Sequence, residues 1–373
     1  MVKNKKNIFK SFFFGATILI LLFVSSNLSL TMGIESRRTT AIIPIMLYIL
    51  YQLCNGSFCI KKIDVQIKLI IVVGVLATIV LSMFPQGDFK YFLTFLVIPF
   101  IIYAYLEQMT TWEQKILKKC LLLLLFVEIG MAIYERATYS IPIDISDELM
   151  GFASSGEKWT FRSQALFGHA LANSLIISTI NIFILASNSI SNRNKYLIFF
   201  LTLIAVLCFN SRGNIIVVVV SSVPFLYSIY KKGDSKIKLL SWLFAGVLAY
   251  FVTNSQSIGL GGRLFNISLN SNDSSTMARL EAFDIFEYLD VQSILWGQEI
   301  KTYLAAIAAH TNASYVENGF IAVILRFGIV FGIPLLVLMV KLQYTKLSCI
   351  TFWKKALILA SFYFVGLFLC VTY

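Results

Sequence analysis

Residues 316–340 read VENGFIAVILRFGIVFGIPLLVLMV. From Gly319 to Val340 the run carries one charge, Arg326, and as a helix rising 1.5 Å per residue it is long enough to cross the roughly 30 Å hydrocarbon core of a bilayer. The pattern recurs along the chain. Apolar runs at 11–30, 40–58, 67–84, 91–106, 120–135, 166–187, 196–210, 214–230, 239–255, 316–340 and 356–372 give eleven expected spans. Of the 373 residues, 58% are hydrophobic and 13% are Asp, Glu, Lys or Arg. Soluble domains carry about a quarter charged residues, so a water-soluble globular chain is excluded. The expectation is an all-α, polytopic integral membrane protein forming a single transmembrane domain over 1–373.

The first run has no small-residue cleavage site after it and ten similar runs follow, so it reads as a span and not a signal peptide. Six cysteines fall in apolar or cytoplasmic stretches with no C-x-x-C pair, against disulfide, metal or redox use. With Lys3, Lys5, Lys6 and Lys10 in the cytoplasm, 20 of the 31 Lys and Arg lie inside, ten outside and one, Arg326, within a span. The positive-inside rule supports that orientation. The net charge of +12 therefore reports topology and not nucleic-acid binding.

The two cations divide unequally. Arg193 is the one arginine inside, whereas Arg37, Arg38, Arg136, Arg162, Arg212, Arg263 and Arg279 are outside. Lysine suffices as a topological point charge, while guanidinium grips phosphate oxygens bidentately. The outer face is equipped for an oxyanion; the plain alternative is pairing with the acids of the outer loops. Those loops, 136–165 and 254–315, are long enough to carry function. The first runs through Arg162 into Phe167-Gly168-His169-Ala170-Leu171-Ala172-Asn173, with His169 and Asn173 on one helix face. Ser174, Ser178 and Asn181 continue a polar stripe suited to interhelical hydrogen bonds. Arg212 sits in the tight Phe209–Asn214 hairpin, as a site residue or a cation snorkelling to headgroups.

The second loop holds an expected amphipathic helix from Ser275 to Asp290, acidic on its polar side and carrying Arg279, read as a lid. Glu317 sits at the rim of the tenth span, as a general base or an exposed carboxylate. Gly328 and Gly332 read as a small-x-x-x-small packing step, and Glu128 and Arg326 as an intramembrane pair. Neither a metal-site motif nor a P-loop is present.

Taken in order, Arg162 before F-G-H-x-L-x-N, Ser211-Arg212-Gly213 at the end of a following span, Arg279 on a loop helix, Trp296-Gly297 and E-N-G-F-I-x-x-I-L-x-x-G-I-x-x-G resemble the O-antigen polymerase (Wzy-type) and O-antigen ligase superfamily. The resemblance covers about residues 160–335. It implies a fold similar to C-class (GT-C-like) membrane glycosyltransferases. It also implies inverting transfer of a glycan from undecaprenyl pyrophosphate to an acceptor hydroxyl at the outer face of a bacterial cytoplasmic membrane, without metal or other cofactor. In the polymerases the acceptor is a sugar of another lipid-linked repeat unit, and a chain-length regulator is an optional partner.

Carried over by position, Arg162, Arg212 and Arg279 would hold the diphosphate and Glu317, with His169, would serve catalysis. Asn318 and Asn173 would orient the acceptor. The ligase branch usually has histidine where this chain has Glu317, which favours polymerase. A ligase with a different acceptor is the near alternative, and a flippase for lipid-linked oligosaccharide the distant one.

Overall fold

The computed structural model describes residues 2–24, 37–83, 97–142, 161–187, 189–233, 235–254, 283–298, 305 and 319–346. They are all-helical: α1 (Val2–Val24), α2 (Arg37–Cys54), α3 (Val65–Met83), α4 (Ile98–Leu106), α5 (Thr111–Thr138), α6 (Ala170–Ala186), α7 (Asn192–Cys208), α8 (Arg212–Lys232), α9 (Ser235–Thr253), α10 (Val291–Trp296) and α11 (Gly319–Lys346), with no strand among them. Ten of the eleven expected runs coincide with α1 to α9 and α11, and the run at 356–372 lies outside the described residues. Among the described residues two helices, 213–232 and 320–345, are long and apolar enough to cross a membrane.

The sequence shows no linker, yet the chain divides into two compact units, Met1–Tyr48 with Thr110–Ser268, and Ile49–Met109 with Leu269–Tyr373. In the first unit, Thr110 and Glu113 form a capping box that starts α5, satisfying donors that a helix start leaves orphaned. Tyr48 donates to the other oxygen of Glu113 at 2.8 Å, and Phe14 of α1 packs against Tyr48 and Trp112. Helices α5 to α8 then run up and down around Leu125, Ile129, Ile177, Ala205, Val206 and Val218.

Helix α6 lies beside α8 in parallel. Near their starts, Asn214 donates to the Leu171 carbonyl at 3.2 Å and to the Ser174 hydroxyl. Two turns on, Asn181 donates to Ser222 at 3.1 Å. At the opposite end, Lys195 donates to the Leu185 carbonyl at 2.9 Å, next to the α6 C-terminus, where the helix dipole favours a cation. Lys118 reaches Ser187 and Ser189 at that same end.

Polarity is arranged from the inside out. Glu128, Asn173, Ser174, Ser178, Asn181, Thr202 and Ser222 are buried, whereas Phe12, Leu47, Val72, Phe126, Trp242 and Val337 are exposed.

In the second unit, the Gln108 side chain closes a two-bond ring with the Cys59 backbone, accepting at 3.0 Å and donating at 3.1 Å. Helix α3 packs on α11. Gly328 corrects the sequence reading of a small-residue packing step: it is a kink within α11, at φ 65° and ψ 173°. Trp296-Gly297-Gln298 docks into that kink, with the Gln298 N–H donating to the Leu325 carbonyl at 3.0 Å. A Cβ on Gly297 would overlap the Arg326 carbonyl, and one on Gly328 would overlap that of Leu295.

The lid helix also needs correction where it is described. Ile285–Glu287 is a 3-10 turn, and Asp290 belongs to no acidic face; it caps α10 by accepting from the Ser293 N–H at 3.3 Å.

Gly328→Ala adds both a disfavoured φ and an overlap with backbone, so it should destabilise the protein by at least about 1–3 kcal/mol. Gly332→Ala meets Ile324 Cα at 3.4 Å and should cost less. Thermal unfolding of the two variants in detergent checks the order.

Candidate functional site

The end of the first unit where α5 and α7 finish and α6 and α8 begin holds a nine-residue irregular segment, Phe161 to His169. The expected span start at 166 therefore moves to Ala170, the first helical residue of α6. A segment without a helical ladder must find other partners for its backbone, and α5 supplies them. Arg136 donates to the Phe161 carbonyl at 2.8 Å, with its guanidinium 5.3 Å from the Tyr139 ring centre and 5.7 Å from that of Phe161. Ser163 donates its hydroxyl to the Ala132 carbonyl at 2.8 Å and its N–H to the Cys208 carbonyl at 3.2 Å. The Glu135 carboxylate, 0% exposed, accepts from the Gln164 N–H at 2.6 Å and from the Ala165 N–H at 3.1 and 3.0 Å.

Asn173 braces the same segment from α6. Its Oδ1 accepts from the Phe167 N–H at 3.2 Å, and its Nδ2 donates to the Gln164 carbonyl. The residue is fully buried, so its amide serves the turn in this conformation. Asn214 Nδ2 also donates to Ser211 at 3.1 Å, tying the hairpin at Asn210 (φ 52°) to the start of α6.

The structure brings part of the expected site together. Arg162 lies within electrostatic reach of His169: burial first, and then the Arg162 charge, hold the His169 imidazole down at about 4 from its ordinary 6.5. At neutral pH His169 is a neutral donor or acceptor, and a weak base. Arg212 is the first residue of α8, four positions after Cys208, whose carbonyl anchors Ser163. Two of the three expected diphosphate arginines thus lie on touching backbone segments. The first turns of α6 and α8 are there too, with N–H groups and dipoles that favour an anion.

Arg279, Glu317 and Asn318 lie outside the described residues. Glu128 is fully buried in the first unit, facing the Leu166 N–H, and neither carboxylate oxygen has a hydrogen-bond partner. Arg326 belongs to the second unit. No group of three or more His, Cys, Asp or Glu among the described residues could hold a metal.

Sequence reasoning missed Glu135, Arg136, Ser163 and Asn214 as organisers. The one available signal was Glu135-Arg136 closing an apolar run, two adjacent charges where topology needs neither. Comparison with family models, curated proteins and solved structures finds no match for this chain.

Asn173→Ala strips partners from a part-buried N–H and a part-buried carbonyl and should cost about 1 kcal/mol or more in unfolding experiments. The His169 shift has a definite sign. The folded value lies below the unfolded one, so protonation favours unfolding. Its stabilising contribution is complete above about pH 6.5 and lost as pH falls to about 4. His169→Gln should flatten the dependence of the melting temperature on pH in that window.

Proposed function

We propose that this chain is a membrane polysaccharide repeat-unit polymerase of the O-antigen, capsule or exopolysaccharide type. It moves a glycan from undecaprenyl pyrophosphate to a sugar hydroxyl of another lipid-linked repeat unit, at the outer face of the bacterial cytoplasmic membrane. The observation that carries the reading is the convergence of the Arg162 segment, the Arg212 position and two helix N-termini at one end of the first unit.

A glycosyl diphosphate leaves with negative charge developing on its bridging oxygen. Preorganised guanidiniums and helix N–H groups stabilise that charge, and each donor of this kind is worth on the order of a hundredfold in rate. Arg162 and Arg212, joined by Arg279, would hold the diphosphate. Glu317 would take the proton of the acceptor hydroxyl, and Asn318 would orient the acceptor. His169, neutral at physiological pH, fits a hydrogen bond to substrate better than proton abstraction.

The membrane setting is supported by the outward-facing apolar side chains and the buried polar ones, the opposite of what water selects. Orientation is supported by the placement of Lys118 and Lys195 at the end of the bundle away from Arg162. On this reading the lysine end is cytoplasmic, the arginine end external, and all eleven runs cross the bilayer.

The test is deletion of the chain in its host followed by analysis of lipid-linked glycans. Single repeat units accumulating on the outer side are expected. Accumulation on the inner side would make the chain a flippase, and polymer that is made but left unattached would make it a ligase. In the same assay Arg212→Lys should lower polymer formation on the order of a hundredfold while the protein stays in the membrane, and undiminished polymer would remove Arg212 from the site.

A further inference from the structure

We infer that Glu135 is a positioning residue for the diphosphate site and acts through Arg162, an assignment that rests on the polymerase reading. Arg162 sits on irregular backbone, so no helix fixes its direction. Side chains fix it instead. On one side Arg136 holds the Phe161 carbonyl. On the other, Ser163 is bonded to the Ala132 and Cys208 carbonyls, and Glu135 grips the next two N–H groups, those of Gln164 and Ala165.

Two features single out Glu135 among these contacts. It takes two successive N–H groups in charge-assisted bonds, where Arg136 makes one such bond, to the Phe161 carbonyl. They also fall on Ala165, whose φ of 42° is a left-handed conformation that a residue with a Cβ adopts at a cost. Such a conformation persists where its surroundings over-determine it, and here the N–H of the strained residue is bonded to both oxygens of Glu135. Releasing that grip lets Ala165 relax and shifts the backbone carrying Arg162. A misplacement of about 1 Å is enough to cost a hundredfold in a preorganised site.

A neutral amide in place of Glu135 keeps the shape but offers one acceptor oxygen to two donors. Glu135→Gln is therefore a near-isosteric probe.

The experiment uses the full chain in lipid nanodiscs with undecaprenyl pyrophosphate as the probe. E135Q should speed hydrogen exchange of the Gln164 and Ala165 N–H groups at least tenfold and weaken probe binding about tenfold. In a double-mutant cycle, E135Q should add nothing once Arg162→Ala is present, because its effect passes through Arg162. Multiplying effects in the double variant, or unchanged exchange in E135Q, would overturn the positioning role while leaving the polymerase reading intact. Failure of the wild-type chain to bind the probe would overturn both. Should E135Q fail to fold, Glu135→Asp, which keeps the carboxylate but draws it back from the two N–H groups, takes its place with the same expected and overturning results.

Discussion

Where a described segment of this chain leaves a helix beside apolar packing, its backbone N–H and C=O groups lose their ladder and must be met by side chains or by backbone from another element. Residues 161–169 are the main instance. Their partners come from the last two turns of α5, the first turn of α6 and the last residue of α7, so the segment is built onto helix ends instead of lying loosely over them. Glu135 and Arg136 divide the work by charge: the carboxylate takes N–H groups and the guanidinium takes a carbonyl. These adjacent opposite charges each satisfy backbone. The geometry of the anion-favouring end follows from that division.

The parallel pairing of α6 and α8 depends on the same principle in a different form. Asn214 and Asn181 bridge the two helices at successive depths, each through its amide N–H₂. In an apolar surrounding such bonds set register more than they add stability. They keep both N-termini at one level, and an anion can then meet both dipoles at once.

Helices were largely legible in the sequence, because apolar runs of span length admit few alternatives. Their ends were not: α5 starts well before the expected 120, since Thr110 and Glu113 cap it, and runs on to Thr138, its last turn holding Phe161 through Arg136. The polar stripe of α6 was read correctly as interhelical for Asn181. Asn173, by contrast, bonds a turn six to nine residues earlier in its own chain, a contact no periodicity reveals. Gly328 was misread because two glycines four apart fit both a packing step and a kink, and the deciding partner, Gly297, lies far off in sequence. Arg162 and His169 could be expected near each other from proximity in the chain. The Cys208 carbonyl that links them to the Arg212 hairpin is backbone, to which a sequence motif is blind.

The joint at Gly328 bears on the residues it flanks. By breaking the helical pattern it frees the Leu325 carbonyl, and the Gln298 N–H takes it. The clasp is made by backbone alone, so it asks for no particular side chain at Leu325 or Gln298, whereas a residue with a Cβ at Gly297 or Gly328 would part it. Two glycines thus fix a junction between stretches of chain far apart in sequence, while the positions that form its hydrogen bond are free to vary in type.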